Sequence, residues 1–396
     1  MRKGMPAERY NDGGGGKMIG LSGDEAVAFA AKQCDVDVVA AYPITPQTII
    51  VEKFSDYVAN GETKAEYVRV ESEHSAMSAC IGASARGART FTATSSQGLM
   101  LMHEMLYIAS GMRLPIVMAN VNRAISAPIN IHADHADSMA VRDAGWLHIS
   151  CVDAQEAYDT TLMSFRIAEE TLLPVMVLLD GFVISHTLQN VSILSDDKVL
   201  SFVGARRRIS ENTLDPQNPK TLGAMVLPEY YSEMKMQQME IMNESREVVR
   251  KVMNEFGDLT GRRYPLVESY RTEDADHVLL CMGSAFGTTK VVVDEMRNEG
   301  KKVGVTRVKC YRPFAGEEVR EAVKNASLVA VADRVAPFGS YPPLYLDTKS
   351  YCDGIDLRSY IYGLGGRDVD KKVIREIFED LERPQSERIK FMGVRA

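Results

Sequence analysis

The sequence predicts an α/β protein built as two doubly wound units, a larger one followed by a smaller. Three observations lead there. Short, continuous apolar or β-branched runs alternate with segments of helical spacing; this alternation occurs twice, separated by an irregular polar stretch; and the 396 residues are 45% hydrophobic and 25% charged, enough apolar material for two cores. The expected division is a flexible tail over 1–17, a first unit over 18–200, a linker and connecting helix over 201–262, and a second α/β unit over 263–396.

In the first unit the strand candidates are Asp37 to Ala41, Arg89 to Ala93, Pro115 to Ala119 and Pro174 to Leu179. Runs of this kind suit strands covered on both faces, as in a parallel sheet. Between them Asp24 to Gln33, Glu73 to Ala88, Leu99 to Ser110 and Gln155 to Glu170 carry helical spacing. The helix from Glu73 is crowded with Ala, Ser and Gly, so another backbone can approach it closely. It is expected to be buried or to lie at a subunit interface. After Thr187 the regularity fades: Leu214 to Pro219 reads as a turn, and a long polar helix runs from about Glu229 to Phe256.

The second unit begins near Asp274. Strand His277 to Met282, the turn Gly283 to Gly287, helix Thr288 to Asn298, strand Lys302 to Arg307, helix Glu317 to Lys324 and strand Ser327 to Ala332 complete a doubly wound pattern. Gly363 to Asp368 is glycine-rich but matches neither a dinucleotide fingerprint nor a P-loop, and reads as a tight turn.

Composition narrows the function classes. A net charge of −8 argues against nucleic acid or an anionic membrane as partner, since a phosphate-binding face needs a basic excess. No apolar stretch approaches the roughly 20 residues that span a bilayer, and Met1 to Lys17 lacks the apolar run of a secretory signal. The six cysteines, at 34, 80, 151, 281, 310 and 352, never form a C-x-x-C pair. Buried free thiols in a cytoplasmic chain are expected, and no iron–sulfur ligand set is offered.

The chemistry concentrates in a few runs. In Tyr42-Pro43-Ile44-Thr45-Pro46 two prolines fix φ around Ile44-Thr45 and remove two backbone donors, leaving the Thr45 hydroxyl at the tip. Taken alone, that hydroxyl could equally close on its own backbone. Glu71 and Glu73 follow in Val70-Glu71-Ser72-Glu73-His74; Glu73, at a helix N-terminus, is on its own terms an acid favoured by the macrodipole. Arg123, after the strand from Pro115, sits where a parallel sheet binds ligands, although an arginine there is commonly a surface residue. Thr94-Ser95-Ser96-Gln97-Gly98 lies between a strand and a helix, so its hydroxyls can cap that helix or its amides can face a ligand. Asp134-His135-Ala136-Asp137-Ser138 lacks the supporting histidines of a metal centre and reads as a pocket-lining loop; no metal ligand is assigned.

Together, Tyr42 to Pro46, Val70 to His74, Thr92 to Gly98, Asn122-Arg123-Ala124 and Asp134 to Ser138 resemble the alpha subunit of the pyruvate:ferredoxin oxidoreductase family, thiamine-dependent 2-oxoacid oxidoreductases. The resemblance runs on through Asp180-Gly181-Phe182, Met282-Gly283-Ser284, Arg312-Pro313-Phe314 and Asp333-Arg334, and departs at Val335 to Pro343, where prolines replace an expected glycine-rich loop. It implies a pyrimidine-type thiamine-diphosphate domain followed by a transketolase C-terminal-like domain. It also implies roles. Glu73 would hydrogen-bond the cofactor's aminopyrimidine, with Glu71 as rival; Arg123 would hold the substrate carboxylate and Thr45 the carboxylate or oxo group; Tyr42, Pro43, Ile44, Ser96 and Gln97 would line the cofactor.

The G-D-G and Asn-Asn pattern that holds the diphosphate and Mg²⁺ in this family does not occur here. The resemblance therefore implies a divided site: a beta subunit with the diphosphate and Mg²⁺, and ferredoxin-like gamma and delta subunits with [4Fe-4S] clusters. The implied reaction is reversible oxidative decarboxylation of a 2-oxoacid with coenzyme A, electrons passing to ferredoxin. Pyruvate is the first choice of substrate, and a branched-chain, aryl or dicarboxylic 2-oxoacid the alternative. A scaffold subunit that has lost the site is the reading from another class.

Overall fold

A computed structural model describes residues 16–205, 215–385 and 387–395. The expected tail therefore lies mostly outside the described residues, and Lys17 at its end already belongs to a strand.

The first unit is a seven-stranded sheet with helices on both faces. In chain order its elements are β1 (Lys17–Leu21), α1 (Gly23–Gln33), β2 (Val38–Ala41), α2 (Thr48–Ala59), β3 (Glu66–Arg69), α3 (Glu73–Ala85) and β4 (Thr90–Thr94). Then come α4 (Ser96–Leu101), α5 (His103–Gly111), β5 (Ile116–Asn122), α6 (Ala136–Ala140), β6 (Leu147–Ser150), α7 (Ala154–Thr171) and β7 (Val175–Asp180). β8 (Gln189–Ile193) pairs antiparallel with β1 as a separate ribbon, and α8 (Asp196–Val203) follows. α9 (Pro228–Thr260) leads to the second unit: β9 (Val267–Tyr270), β10 (His277–Cys281), α10 (Ala285–Asn298), β11 (Val303–Val308), β12 (Cys310–Arg312) and α11 (Gly316–Val323). β13 (Leu328–Asp333), α12 (Pro343–Tyr351), β14 (Leu357–Ile361), α13 (Lys371–Leu381) and β15 (Ile389–Phe391) complete it.

Local chemistry sets these limits. Ser22 and Glu25 form a reciprocal capping box on α1, Asp153 caps α7 and Ser72 caps α3 through the Ser75 amide. α9 opens with Pro228 in its first turn, where the missing amide costs nothing, and stops at Gly261 with φ +76°. The expected single helix Leu99 to Ser110 is two helices joined at buried Met102, and the first of them starts earlier, at Ser96.

The large sheet runs β12-β6-β7-β5-β4-β2-β3, parallel from β6 to β3. β4, β5 and β7 are buried at every position, in keeping with sequences made mostly of apolar and β-branched residues. The second sheet runs β15-β14-β13-β10-β11-β9 with only β9 antiparallel. The strands absent from the expectation are β1, β3, β6, β8, β9, β12, β14 and β15. Several are edges or carry polar residues such as His148 and Ser150, so no apolar run marks them.

Two expected boundaries differ from the structure. The break after residue 200 would cut α8, and the 201–262 segment is more than a linker. α9 buries Ser245, Val249, Val252, Met253 and Phe256, at helical spacing, in the core formed by α1, α7 and one face of the large sheet. The other face of that sheet shares a core with the second unit: Met118, Trp146 and Met176 belong to the same cluster as Val278, Val329 and Val331. α3 contributes Ala76, Met77, Cys80 and Ile81 to this cluster, while Gly82 on its opposite side is exposed. All six cysteines are buried and free.

The joint is also electrostatic. β12 of the second unit adds antiparallel to β6. Beside it Glu156 of α7 pairs with Arg307, and with Lys309 at 2.9 Å, all three buried. Burial would push the Glu156 carboxyl up, but the two cations outweigh it and hold the group down at about 2. Such a group stabilises the fold fully above its ordinary range, and the contribution is lost as pH falls toward 2. We expect the urea midpoint of the assembled protein to fall between about pH 4.5 and 2, and Glu156→Gln to flatten that fall while costing about 3–5 kcal/mol at pH 7, because it leaves buried cations uncompensated. Chemical denaturation at several pH values tests this; parallel curves for both proteins would refute it.

Candidate active site

The parallel strands β2, β4, β5 and β7 end on one edge of the large sheet, and each passes into a segment singled out in the sequence. β2 leads to Tyr42-Pro43-Ile44-Thr45, β4 to Ser95-Ser96-Gln97, β5 to Arg123 and β7 to Gly181. Between β2 and β4 the winding reverses, since β3 lies on one side of β2 while β4, β5 and β7 lie on the other. A crevice at such a point is where open α/β sheets take ligands.

Tyr42, Pro43 and Thr45 are exposed and Ile44 is half-buried. The turn is closed from inside by Gln47, whose side-chain Nε2 donates to the Tyr42 carbonyl at 2.8 Å and whose backbone N–H donates to the Ile44 carbonyl at 2.9 Å. The Thr45 carbonyl accepts from Arg123 Nη1 at 2.8 Å. Its hydroxyl makes no hydrogen bond among the described residues, so it does not close on its own backbone. Gly181 lets this turn approach the end of β5, because a side chain there would meet Pro46 Cγ at 2.8 Å and the Asn122 carbonyl at 2.7 Å.

Arg123 is 5% exposed and fixed along its length. Its Nε donates to the Asn130 carbonyl at 3.1 Å, its Nη1 to Thr45, and its backbone N–H to Asp137 at 3.0 Å. Nη2 has no recorded protein partner among the described residues, which leaves it a donor for a ligand. Guanidinium nitrogens in that situation suit a carboxylate.

Glu73 and Glu71 are distinguished by environment. Glu71 is exposed and bonded to the Ser75 hydroxyl, which draws its carboxyl below the usual range. Glu73 is 7% exposed, its side chain makes no hydrogen bond to another residue among the described residues, and its carboxyl is pushed upward by burial. It begins α3 and packs on α4: a Cβ on Gly98 would lie 2.6 Å from Glu73 Oε1 and 2.5 Å from Thr94 Oγ1. A buried carboxyl without a protein partner fits a ring nitrogen with which it can share a proton.

Ser96 adopts φ +50°, uncommon for a residue with a side chain. Its N–H donates to Asp137 at 3.0 Å, and its hydroxyl bonds the Ala124 carbonyl and Gln97 Oε1. Gln97 Nε2 is buried with no protein partner among the described residues. The expectation that the serines cap the helix is corrected. α4 has no side-chain cap, and the Ser95 hydroxyl instead donates to the Val121 carbonyl at 2.7 Å, tying β4 to β5.

The Asp134 to Ser138 run braces the site through three residues, Asp137, His135 and Asp134. Asp137 accepts from Ser96, Arg123, Asn122 Nδ2 and the Ser138 amide. Burial raises its carboxyl to about 6, and these donors oppose that rise. His135 bonds Asp180 at 2.7 Å, and Asp180 also receives Arg334 Nη1 and Ser284 from the second unit. Asp134 accepts the Gly365 amide at 3.2 Å. The glycine-rich turn there, with φ positive at Gly363, Gly365 and Gly366, thus docks on the loop following Arg123, where Asn130 Nδ2 donates to the Gly365 carbonyl at 3.0 Å. Sequence reasoning missed Gln47 and Asn120. Thr94, Gly98, Asp137, Asp180 and Gly181 lay in runs that it singled out, but without these individual roles.

Comparison with known proteins bears on the fold and the family. Residues 29–254 match the family described as pyruvate flavodoxin/ferredoxin oxidoreductase, thiamine diphosphate-binding, and residues 275–374 match pyruvate:ferredoxin oxidoreductase core domain II. Pyruvate synthase subunit PorA of Methanocaldococcus jannaschii is 49% identical over 95% of this chain and 97% of its own. Ketoisovalerate oxidoreductase subunit VorA of Pyrococcus horikoshii is 44% identical over 92% and 93%. In fold, the chain is similar to 2-oxoglutarate:ferredoxin oxidoreductase from Magnetococcus marinus, with a TM-score of 0.74 at 20% identity, over 92% of this chain and 65% of that one. With a thiamine-diphosphate-binding unit followed by core domain II, and close relatives along almost its whole length, the chain belongs to the pyruvate:ferredoxin oxidoreductase family.

Proposed function

We propose that this chain is the alpha subunit of a multi-subunit 2-oxoacid:ferredoxin oxidoreductase acting on pyruvate, with coenzyme A as acyl acceptor and ferredoxin as electron acceptor. The observation that carries the reading is the meeting of Thr45 and Arg123 across one hydrogen bond, with the Thr45 hydroxyl and Arg123 Nη2 both left for a ligand. Pyruvate synthase subunits among the relatives, at 48–49% identity, favour pyruvate. The ketoisovalerate relatives at 43–44% keep a branched-chain 2-oxoacid as the second reading.

When bound, thiamine diphosphate supplies a carbon nucleophile for the 2-oxo group. The chain's own residues would do the rest of the work on this wall. Glu73, its proton held more tightly because of burial, would share that proton with the aminopyrimidine edge. Gln97 Nε2 offers a second, unpartnered donor nearby. Arg123 Nη2 would take the substrate carboxylate, and Thr45 Oγ would donate to the carboxylate or the oxo group. Tyr42, Pro43 and Ile44 would line the cofactor with their turn.

The diphosphate and Mg²⁺ would be held by a beta subunit, because the sequence carries no G-D-G run. Iron–sulfur clusters would lie on gamma and delta subunits, since no two cysteines form a C-x-x-C pair. The exposed edge formed by Tyr42, Pro43 and Thr45 is the surface such a partner would cover.

Two substitutions test these assignments in the reconstituted complex. Glu73→Gln should lower kcat by about 10²–10⁴-fold with assembly intact, and near-normal turnover would remove Glu73 from the mechanism. Arg123→Lys keeps a charge but loses the planar fork, and should raise the KM for the oxoacid about 10- to 100-fold while leaving that for coenzyme A unchanged. Equal effects on both would refute the carboxylate role. Thiamine-dependent dye reduction across a panel of 2-oxoacids tests the substrate: pyruvate should give the highest kcat/KM, and a preference for 2-oxoisovalerate would replace pyruvate with the second reading.

A further inference from the structure

Beside Glu73, buried polar groups gather that no hydrogen bond within the described protein satisfies. Thr94 Oγ1 and both Asn120 Nδ2 and Oδ1 have no partner there, although both residues are wholly buried. They are neighbours: Thr94 of β4 is in register with Asn120 of β5, and the strands are parallel. They also share a face. Ala93, Ala119 and Val121 pack into the core on the α1 and α7 side, whereas Met118 packs with α3 and α4, so Thr94 and Asn120 point toward the helices that carry Glu73 and Gly98. The bare Cα of Gly98 brings the two oxygens together, since one point 2.5 Å from Thr94 Oγ1 is 2.6 Å from Glu73 Oε1.

Buried side-chain polar atoms in folded proteins almost all have a partner, and an internal water typically makes about three hydrogen bonds to such groups. A hydroxyl that donates and accepts, an amide that does both, and a carboxylate that accepts are the set a single water needs. We propose that Thr94 and Asn120 hold an internal water against the Glu73 carboxyl, and that this water, donating to the carboxylate, restrains how tightly Glu73 keeps its proton. Thr94 and Asn120 are thus positioning residues for the acid.

No charged side chain competes for that control. On α3 itself Glu71 is exposed, and His74 pairs with Glu104 of α5 at the surface. Glu66 and Arg69 of β3 are exposed, Arg123 after β5 is held by Thr45 and Asn130, and Asp137 of α6 is engaged by its own donors. Burial therefore acts on Glu73 without a compensating cation, and a donated hydrogen bond is the remaining way to favour its charged form.

The inference deepens the proposed role of Glu73, but the water site and its effect on titration can be read without the cofactor. In a crystal structure of the assembled complex at a resolution that shows waters, an ordered water should lie within hydrogen-bond distance of Thr94 Oγ1, Asn120 and Glu73. A dry niche would overturn the proposal with no variant needed. In the cofactor-free complex, infrared difference titration of the carboxyl band, assigned by its loss in Glu73→Gln, should move to higher pH in Thr94→Val, by about tenfold in proton affinity. Thr94→Ser, which restores the hydroxyl, should titrate as the native protein does. An unchanged midpoint in Thr94→Val, or equal shifts in both variants, would refute the role of the hydroxyl. Failure of the cofactor assignment would appear differently, as normal turnover of Glu73→Gln with the water and the Thr94 dependence intact.

Discussion

The site depends on one buried carboxylate. Asp137 receives the backbone N–H of Ser96 at the end of β4, the backbone N–H of Arg123 at the end of β5, and the Asn122 amide. Two strand ends and the short helix α6 are thereby locked to a single point. Because these donors converge, Ser96 is held at φ +50° and Arg123 leaves its strand in one direction, toward Thr45. A carboxylate that accepts several backbone amides in a dry place is a rigid fixture, since losing any donor would leave charge unsatisfied.

The same logic ties the two units together. Asp180 ends β7, next to the strand that carries Arg123, and it is claimed by His135 of the first unit and by Arg334 and Ser284 of the second. The loop after Arg123 then rests on the glycine-rich turn of the second unit through Asn130 and Asp134. The second unit is therefore part of how the site is held, although it supplies none of the proposed contacts. Around this polar joint lies an apolar one, the core that Met118 and Trp146 share with Val278 and Val331. Burial of that surface explains why α/β units with separate sheets do not behave as beads on a string.

The chemistry proposed for this wall follows from unequal treatment of similar groups. Two glutamates lie two residues apart, yet one faces water and bonds a serine while the other is enclosed without a side-chain partner. The Ser75 hydroxyl draws the first carboxyl down, and desolvation pushes the second up. Likewise Arg123 engages Thr45 and Asn130 through two of its nitrogens and keeps the third for a ligand, so its fork is aimed before any substrate arrives.

Much of this was legible in the chain itself. The apolar and β-branched runs of β4, β5 and β7 pointed to a parallel sheet buried on both faces, the proline-flanked turn marked the Thr45 hydroxyl as a candidate, and the runs from Tyr42 to Ser138 carried the family resemblance. These are local properties, set by periodicity, fixed φ and residue type. The edge strands β3 and β12, the place of α9 in the first core, and the bracing by Asp137 and Asp180 were not legible, because each depends on partners distant in the sequence, as Cys310 depends on Ile149 and Arg334 on Asp180. Capping of α4 by Ser95 was a sound local expectation that a longer-range bond to Val121 overrode. Sequence alone thus determined which groups could do chemistry. Only the tertiary structure decided which of them are dry, which are already spoken for by other protein groups, and which remain free to act, because burial and hydrogen-bond competition are properties of the folded neighbourhood and not of the residue.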